Sequence, residues 1–322
     1  MTWQKAIITV LLIAFSLNSY CWGFFGHKKI NEYAVYLLPT EMLAFYKKHI
    51  PYLVEHAPDP DKRRYAVADE GPRHYIDIDL YGIYPFDSLP RKWNDAVSKY
   101  SLDTLMARGI VPWHIQAMQQ RLTKAFREKD LGRILKNSAE IGHYISDAHV
   151  PLHTSHNHNG QYTEQHGIHG FWESRIPELL ADEEFDFFIG NAQYISNTSS
   201  FIWDKVLESA LASDSVLTFE KKLSQRKRGD QRFAFEERNG QVIRQYSSKY
   251  ARAYNDMLNG MVERRMRQSV FAVASFWYTA WVDAGQPRLD LLLNTAQVNS
   301  GEENLSIDST VHRSKMIGRQ ED

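Results

Sequence analysis

Leu131-Gly-Arg-Ile134-Leu135-Lys-Asn-Ser-Ala-Glu-Ile141-Gly-His143-Tyr144-Ile145-Ser-Asp147-Ala-His149-Val-Pro151-Leu-His153 carries a helix signal and a chemical one together. Leu131, Ile134, Leu135, Ile141, Tyr144 and Ile145 recur at three- and four-residue spacing, which predicts a helix over 131–148 that Pro151 ends. His143 and Asp147 stand four apart on that helix, so both side chains share one face at a distance suited to a common metal ion. His153 follows in the turn, where it can point to a different ion, while His149 faces another way. The same spacing returns in His169-Gly-Phe-Trp-Glu173. A single pair of this kind reads more readily as an exposed ion pair. Two of them 26 residues apart, with His153 between, favour metal.

The rest of the composition narrows the function without adding to it. The chain has 322 residues, 43% hydrophobic and 24% charged, enough for a sizeable core. Lys plus Arg number 38 against 39 Asp plus Glu, which excludes whole-molecule attraction to a polyanion. Lys5, the apolar run Ala6 to Phe15 and Ser16-Leu-Asn-Ser-Tyr-Cys21 have the parts of a signal peptide, residues 1–21, too short to serve as a membrane span. Ser19 and Cys21 suit cleavage before Trp22. The mature chain expected from this is secreted or periplasmic and monomeric, lacks an integral membrane span, and has lost its one Cys. Without disulfides, bound metal is a candidate staple.

Helical periodicity runs from Gly26 to Gly285, and predicts helices near 26–38, 40–55, 60–68, 93–107, 113–128, 131–148, 168–181, 190–212 and 246–283. An extended stretch is expected at His74 to Leu80, and a hairpin from Arg232 to Tyr246 turned at Asn239-Gly240. The expectation is an all-α, single-domain, multi-helix bundle over 22–294, followed by a polar tail, 295–322, without periodicity.

Trp22-Gly-Phe-Phe-Gly-His27, Asp59-Pro-Asp-Lys62, His74-Tyr-Ile-Asp77, His143-x3-Asp147-x5-His153 and His169-x3-Glu173 together resemble the trinuclear zinc phosphodiesterases. That superfamily comprises the bacterial zinc phospholipases C and the single-strand nucleases of the S-one/P-one type. The resemblance implies an all-α fold around three zinc ions. One ion would be held by Asp59, His74, His143 and Asp147, a second by His153, His169 and Glu173, and a third by the α-amine and carbonyl of Trp22 with His27 and the bridging Asp147. Asp59-Pro60 also reads as a helix cap followed by proline, and Asp61 is a nearby competitor; Asp59 is preferred for its order and spacing to His74.

The implied chemistry is hydrolysis of a phosphate ester by metal-activated water, with Asp59 and Asp147 catalytic and Lys62 holding a phosphate oxygen. The favoured substrate is single-stranded nucleic acid or a nucleotide, as in an endonuclease or 3'-nucleotidase, with Tyr75 stacking on a base and Asp77 reading its edge. Phospholipid is the alternative, favoured by Glu173 where the fungal nucleases carry Asp. A non-catalytic zinc-binding protein is a third reading. The basic stretch Lys221 to Arg232 reads as a solvated loop.

Overall fold

The computed structural model describes residues 23–293, apart from positions 228 and 239. The expected signal peptide, Trp22 and the expected 295–322 tail lie outside the described residues. The architecture is all-α with one two-stranded hairpin. No helix among the described residues is long and apolar enough to cross a membrane.

The helix at the centre is α8, Leu131–Ala148, begun by Asp130, whose carboxylate accepts the Arg133 amide at 3.0 Å. From Ser138 onward every residue of α8 is buried, which is the state of a helix enclosed on all sides. Around it pack α1 (Gly23–Val35), α3 (Ile50–Glu55), α7 (Val111–Glu128) and α14 (Met261–Asp283). The buried polar groups on α8 are individually satisfied or turned to one place. Ser138 meets Tyr46 Oη at 2.9 Å, and its carbonyl accepts Trp277 Nε1 at 3.0 Å. Asn31 of α1 donates to Ala139 O at 3.1 Å, close beside Gly142.

The short helix α4, Asp59–Arg63, docks on α8 through Arg63, which reaches Glu140 at 2.7 Å and Tyr144 Oη at 3.2 Å. After Pro151 the chain makes a 3-10 turn, Pro151–Thr154. A second helical run then begins at Ile168–Gly170, widens into a π turn over Phe171–Arg175, and continues as Ile176–Glu184. The hairpin strands Phe233–Arg238 and Gln241–Tyr246 pair antiparallel, with Gly240 at φ 76° in the turn. Tyr246 lays its ring on Phe171, centroids 3.8 Å apart, so the hairpin backs the π turn.

Several expected helices are shorter, broken or displaced. The helix at 93–107 is two, Trp93–Tyr100 and Leu102–Arg108, parted at Ser101, whose φ of 70° no helix admits. The helix at 246–283 is interrupted at Asn259 and Gly260, both at positive φ. The one at 190–212 instead spans Thr198–Arg226, because the residues before it run as a strap along α14. There the Gln193 and Ile195 amides donate to Ser275 Oγ and Thr279 Oγ1 at 3.1 and 2.9 Å. His74 to Leu80 is irregular and ends in a 3-10 turn, Ile78–Tyr81, without a strand partner.

Candidate metal centre

Five side chains from three helices and a loop meet beside α8. His143 Nε2 lies 3.3 Å from Asp147 Oδ2 and 3.5 Å from Asp61 Oδ1. His74 Nδ1 lies 3.0 Å from Asp147 Oδ2 and 3.6 Å from Asp61 Oδ1. His27, from α1, stacks on His143 with ring centroids 3.8 Å apart and brings Nε2 to 3.5 Å from Asp147 Oδ1. Beside them a second group forms, in which Glu173 Oε2 is 3.0 Å from His169 Nε2 and 3.4 Å from His153 Nε2. All eight residues are buried, and three sets have ligand atoms close enough to share an ion: His27, Asp61 and His143; His74, His143 and Asp147; and His153, His169 and Glu173.

The outer nitrogen of each ring shows which atom is left for a cation. His143 Nδ1 donates to the Ala57 carbonyl at 3.0 Å, and His153 Nδ1 to the His74 carbonyl at 2.6 Å. Carbonyls only accept, so these nitrogens carry protons and Nε2 is the atom each ring turns inward. His74 turns Nε2 toward Glu70 Oε1 at 3.6 Å, and its Nδ1 faces His143 Nε2 at 3.0 Å. Two imidazole lone pairs at that distance repel unless a proton or a metal ion stands between them. Neither carboxylate oxygen of Asp61, neither ring nitrogen of His27, nor Asp147 Oδ1 has a hydrogen-bond partner, although all are buried. A buried carboxylate without donors is costly. The donor set of imidazoles and carboxylates is that of zinc, and the residues fit it.

The electrostatics express the same demand for positive charge. Burial works against a charged His143, but Asp147 and Asp61 outweigh it and take its pKa up to about 10. Burial would raise the Asp147 and Asp61 carboxyls; instead the neighbouring histidines hold both below their ordinary value. Burial lowers His27 to about 3, with His143 assisting, so this ring is already neutral. Glu70 is itself fixed by Arg73 at 2.7 Å and by Tyr144 Oη, which makes a charged brace behind His74.

Of the expected ligands, His27, His74, His143, Asp147, His153, His169 and Glu173 converge, while Trp22 lies outside the described residues. Asp59 does not converge, and this corrects the expectation. Its carboxylate turns outward to His56 Nδ1 at 2.6 Å and Lys62 Nζ at 2.9 Å, and Asp61 takes the place in the cluster. Lys62 pairs with Asp59 at 2.9 Å and stays about half exposed. Tyr75 is also corrected. Its ring is 0% exposed, its hydroxyl donates to Ala107 O at 3.3 Å, and the backbone of Gly109 lies against it, so no face is open for a base. Asp77 is buried too, and its amide is bound to Arg108 O at 2.7 Å. Asp61 enters the sequence reading only as a competitor of Asp59, and Glu70 does not enter it. The spacing of Glu70 four residues before His74 is the signal that was available.

A groove of about 610 Å³ lies elsewhere, between Phe201, Lys205, Arg264, Arg267 and Phe271, and no cluster residue lines it. Its cations are engaged, Lys205 with Glu208 at 2.6 Å and Arg267 with the Phe188 carbonyl at 3.0 Å.

No family model matches the chain, and no curated protein matches it in sequence. Among solved structures it is similar to the Alpha Toxin from Clostridium absonum, with a TM-score of 0.47 and 10% identity over 82% of this chain and 64% of that one. The chain thus spans less than two thirds of the toxin chain. A likeness of this degree leaves the chemistry to the side chains.

Proposed function

We propose that this protein is a zinc-dependent phosphodiesterase that acts on phospholipid headgroups. The observation that carries the metal reading is the facing pair of imidazole nitrogens, His143 Nε2 and His74 Nδ1, 3.0 Å apart with Asp147 and Asp61 beside them. Lipid is preferred to nucleic acid because Tyr75, the one stacking platform expected for a base, is enclosed in the core. When bound, zinc would supply Lewis acidity to a phosphoryl oxygen and make water a competent nucleophile near neutral pH.

The chain's own residues divide the remaining work. Asp61, His74, His143 and Asp147 would hold one ion, and His153, His169 and Glu173 another. His27 and Asp147 would hold a third with the α-amine of Trp22. Asp147 is suited to bridge, since its two oxygens face different histidines, His27 on one side and His74 and His143 on the other. Arg64 stands three residues after Asp61 at the end of α4 and is near enough to lower the proton affinity of His74. Burial of the cluster keeps bulk water from competing for the ligands.

The test is metal content together with a substrate panel. Protein beginning at Trp22 should bind three zinc ions per chain and hydrolyse bis-(p-nitrophenyl) phosphate and phosphatidylcholine, and a chelator should abolish both activities. The same chain with one residue ahead of Trp22 should bind one ion fewer, because an amide is a poor ligand. One ion or none in the free-amine form would sink the trinuclear reading. Cleavage of single-stranded DNA without hydrolysis of phosphatidylcholine would return the substrate to nucleic acid.

A further inference from the structure

The segments that carry His74 and His153 are laced together, and beyond them Leu80, Ile83, Tyr84 and Tyr162 are exposed. The lacing runs from His153 Nδ1 on His74 O and Ile76 N on His153 O, at 2.6 and 2.9 Å, to Asp79. There Asp79 accepts Ser155 Oγ, the His156 amide and His156 Nδ1 at 2.8, 3.1 and 2.9 Å. Directly after Asp79, a loop presents Leu80, Ile83 and Tyr84 to solvent, with Ile83 90% exposed. Six residues after His156, past the buried 157–160, Tyr162 is 69% exposed, its ring centroid 5.0 Å from that of His156.

The loop after Asp79 is held firmly. Arg108 donates to Leu80 O at 2.8 Å, Lys99 to Ser88 O at 2.6 Å, and Tyr81 packs edge-on against Tyr100. An aliphatic side chain fixed outward in this way gains nothing from water, and two tyrosines beside it are the residues that settle at a membrane interface. The charges around the loop nearly cancel, with Arg91, Lys92, Lys99 and Arg108 against Asp87, Asp95 and Asp103. Three of the four cations are occupied in holding backbone carbonyls. Attraction to an anionic surface is therefore weak, and apolar insertion is what remains.

We propose that Leu80, Ile83, Tyr84 and Tyr162 form an apolar rim by which the protein docks on a neutral phospholipid bilayer beside the metal cluster. The inference rests on the lipid reading of the site and assigns it a surface. Because the contact is apolar, binding should be insensitive to salt.

Flotation of zinc-loaded protein beginning at Trp22 with phosphatidylcholine vesicles at about 0.1 and about 0.5 M salt, where the screening length falls from about 10 Å to about 4 Å, is the measurement. Wild type should bind equally at both. Ile83→Glu and Tyr162→Ser should each bind about tenfold more weakly, with turnover of bis-(p-nitrophenyl) phosphate unchanged. Phe188→Ser, at an equally exposed site off the rim, should bind as wild type does. The proposal is overturned if wild type does not bind, if Phe188→Ser loses as much as Ile83→Glu, if binding needs anionic lipid and is lost in salt, or if the rim instead pairs two copies and Ile83→Glu merely converts a dimer to a monomer. Failure of the lipid reading looks different: neither vesicles nor detergent-dispersed phosphatidylcholine are hydrolysed while the small diester is. Hydrolysis of dispersed lipid with vesicle binding indifferent to Ile83→Glu would overturn the rim alone.

Discussion

Asp59 and Asp61 are two residues apart on α4, about 200° around a helix, so only one of them can face the cluster. In this fold it is Asp61, whose Oδ1 lies 3.5 Å from His143 Nε2 and 3.6 Å from His74 Nδ1. Asp59 is left outside, between His56 and Lys62. Replacing Asp61 with Asn should therefore cost metal and reduce kcat/KM by about 100-fold or more, whereas Asp59→Asn should change kcat/KM by less than about threefold. Zinc stoichiometry and steady-state kinetics on the two variants check this. A larger loss in Asp59→Asn would restore the expectation drawn from spacing.

At the scale of elements, the site depends on how closely α1 approaches α8. Gly142 permits that approach, since a Cβ there would stand 2.0 Å from Asn31 Oδ1. Asn31 cannot swing away freely, because its amide is bound to Ala139 O at 3.1 Å and Leu53 O at 3.4 Å. Gly142→Ala should force α1 outward, cost about 1 to 3 kcal/mol of stability, and separate His27 from His143 and Asp147. The metal analysis should show loss at that nucleus while the group of His153, His169 and Glu173 keeps its ion. Full metal content with unchanged stability would mean that Asn31 repacks without moving the helix. The other end of α8 is held by Ser209 Oγ on Ala148 O at 2.7 Å and Arg265 Nε on His149 O at 3.0 Å. The helix that carries His143 and Asp147 is thus pinned at its close as well.

For the molecule as a whole, acid is the perturbation to which the fold is most exposed. Burial lowers His149 to about 3, with Arg265 assisting, and burial with Arg73 lowers His114 to about 3. Both take up protons near pH 6.5 once unfolded, so between about pH 6.5 and pH 3 the unfolded chain holds the extra protons and stability falls as pH falls. Each ring contributes a loss of about 2 kcal/mol at pH 5. His143, raised to about 10, acts in a separate window. The stability it gives the metal-free protein is complete below pH 6.5 and is lost as pH rises through its folded value. Urea unfolding of metal-free protein at pH 7 and pH 5 should show the fall, and His149→Gln should shrink the difference by about 2 kcal/mol. An unchanged difference would mean that His149 titrates normally.

The His-x3-Asp/Glu pairs and the helix that bears one of them were legible because both depend on one helix's own geometry: four residues bring side chains onto one face whatever surrounds it. The apolar period of 131–148 was legible for the same reason, and the hairpin because an Asn-Gly pair favours its turn locally. Tertiary structure alone decided the rest. Asp61 replaced Asp59 through the docking of α4 on α8, Tyr75 was enclosed by the backbone at Gly109, and Glu70 became the brace of His74 only once Arg63, Arg73 and Tyr144 were gathered around it. Each of these outcomes depends on which face of a short element meets a partner distant in sequence. A short helix such as α4 has no periodicity long enough to declare that face, so long-range contacts set it.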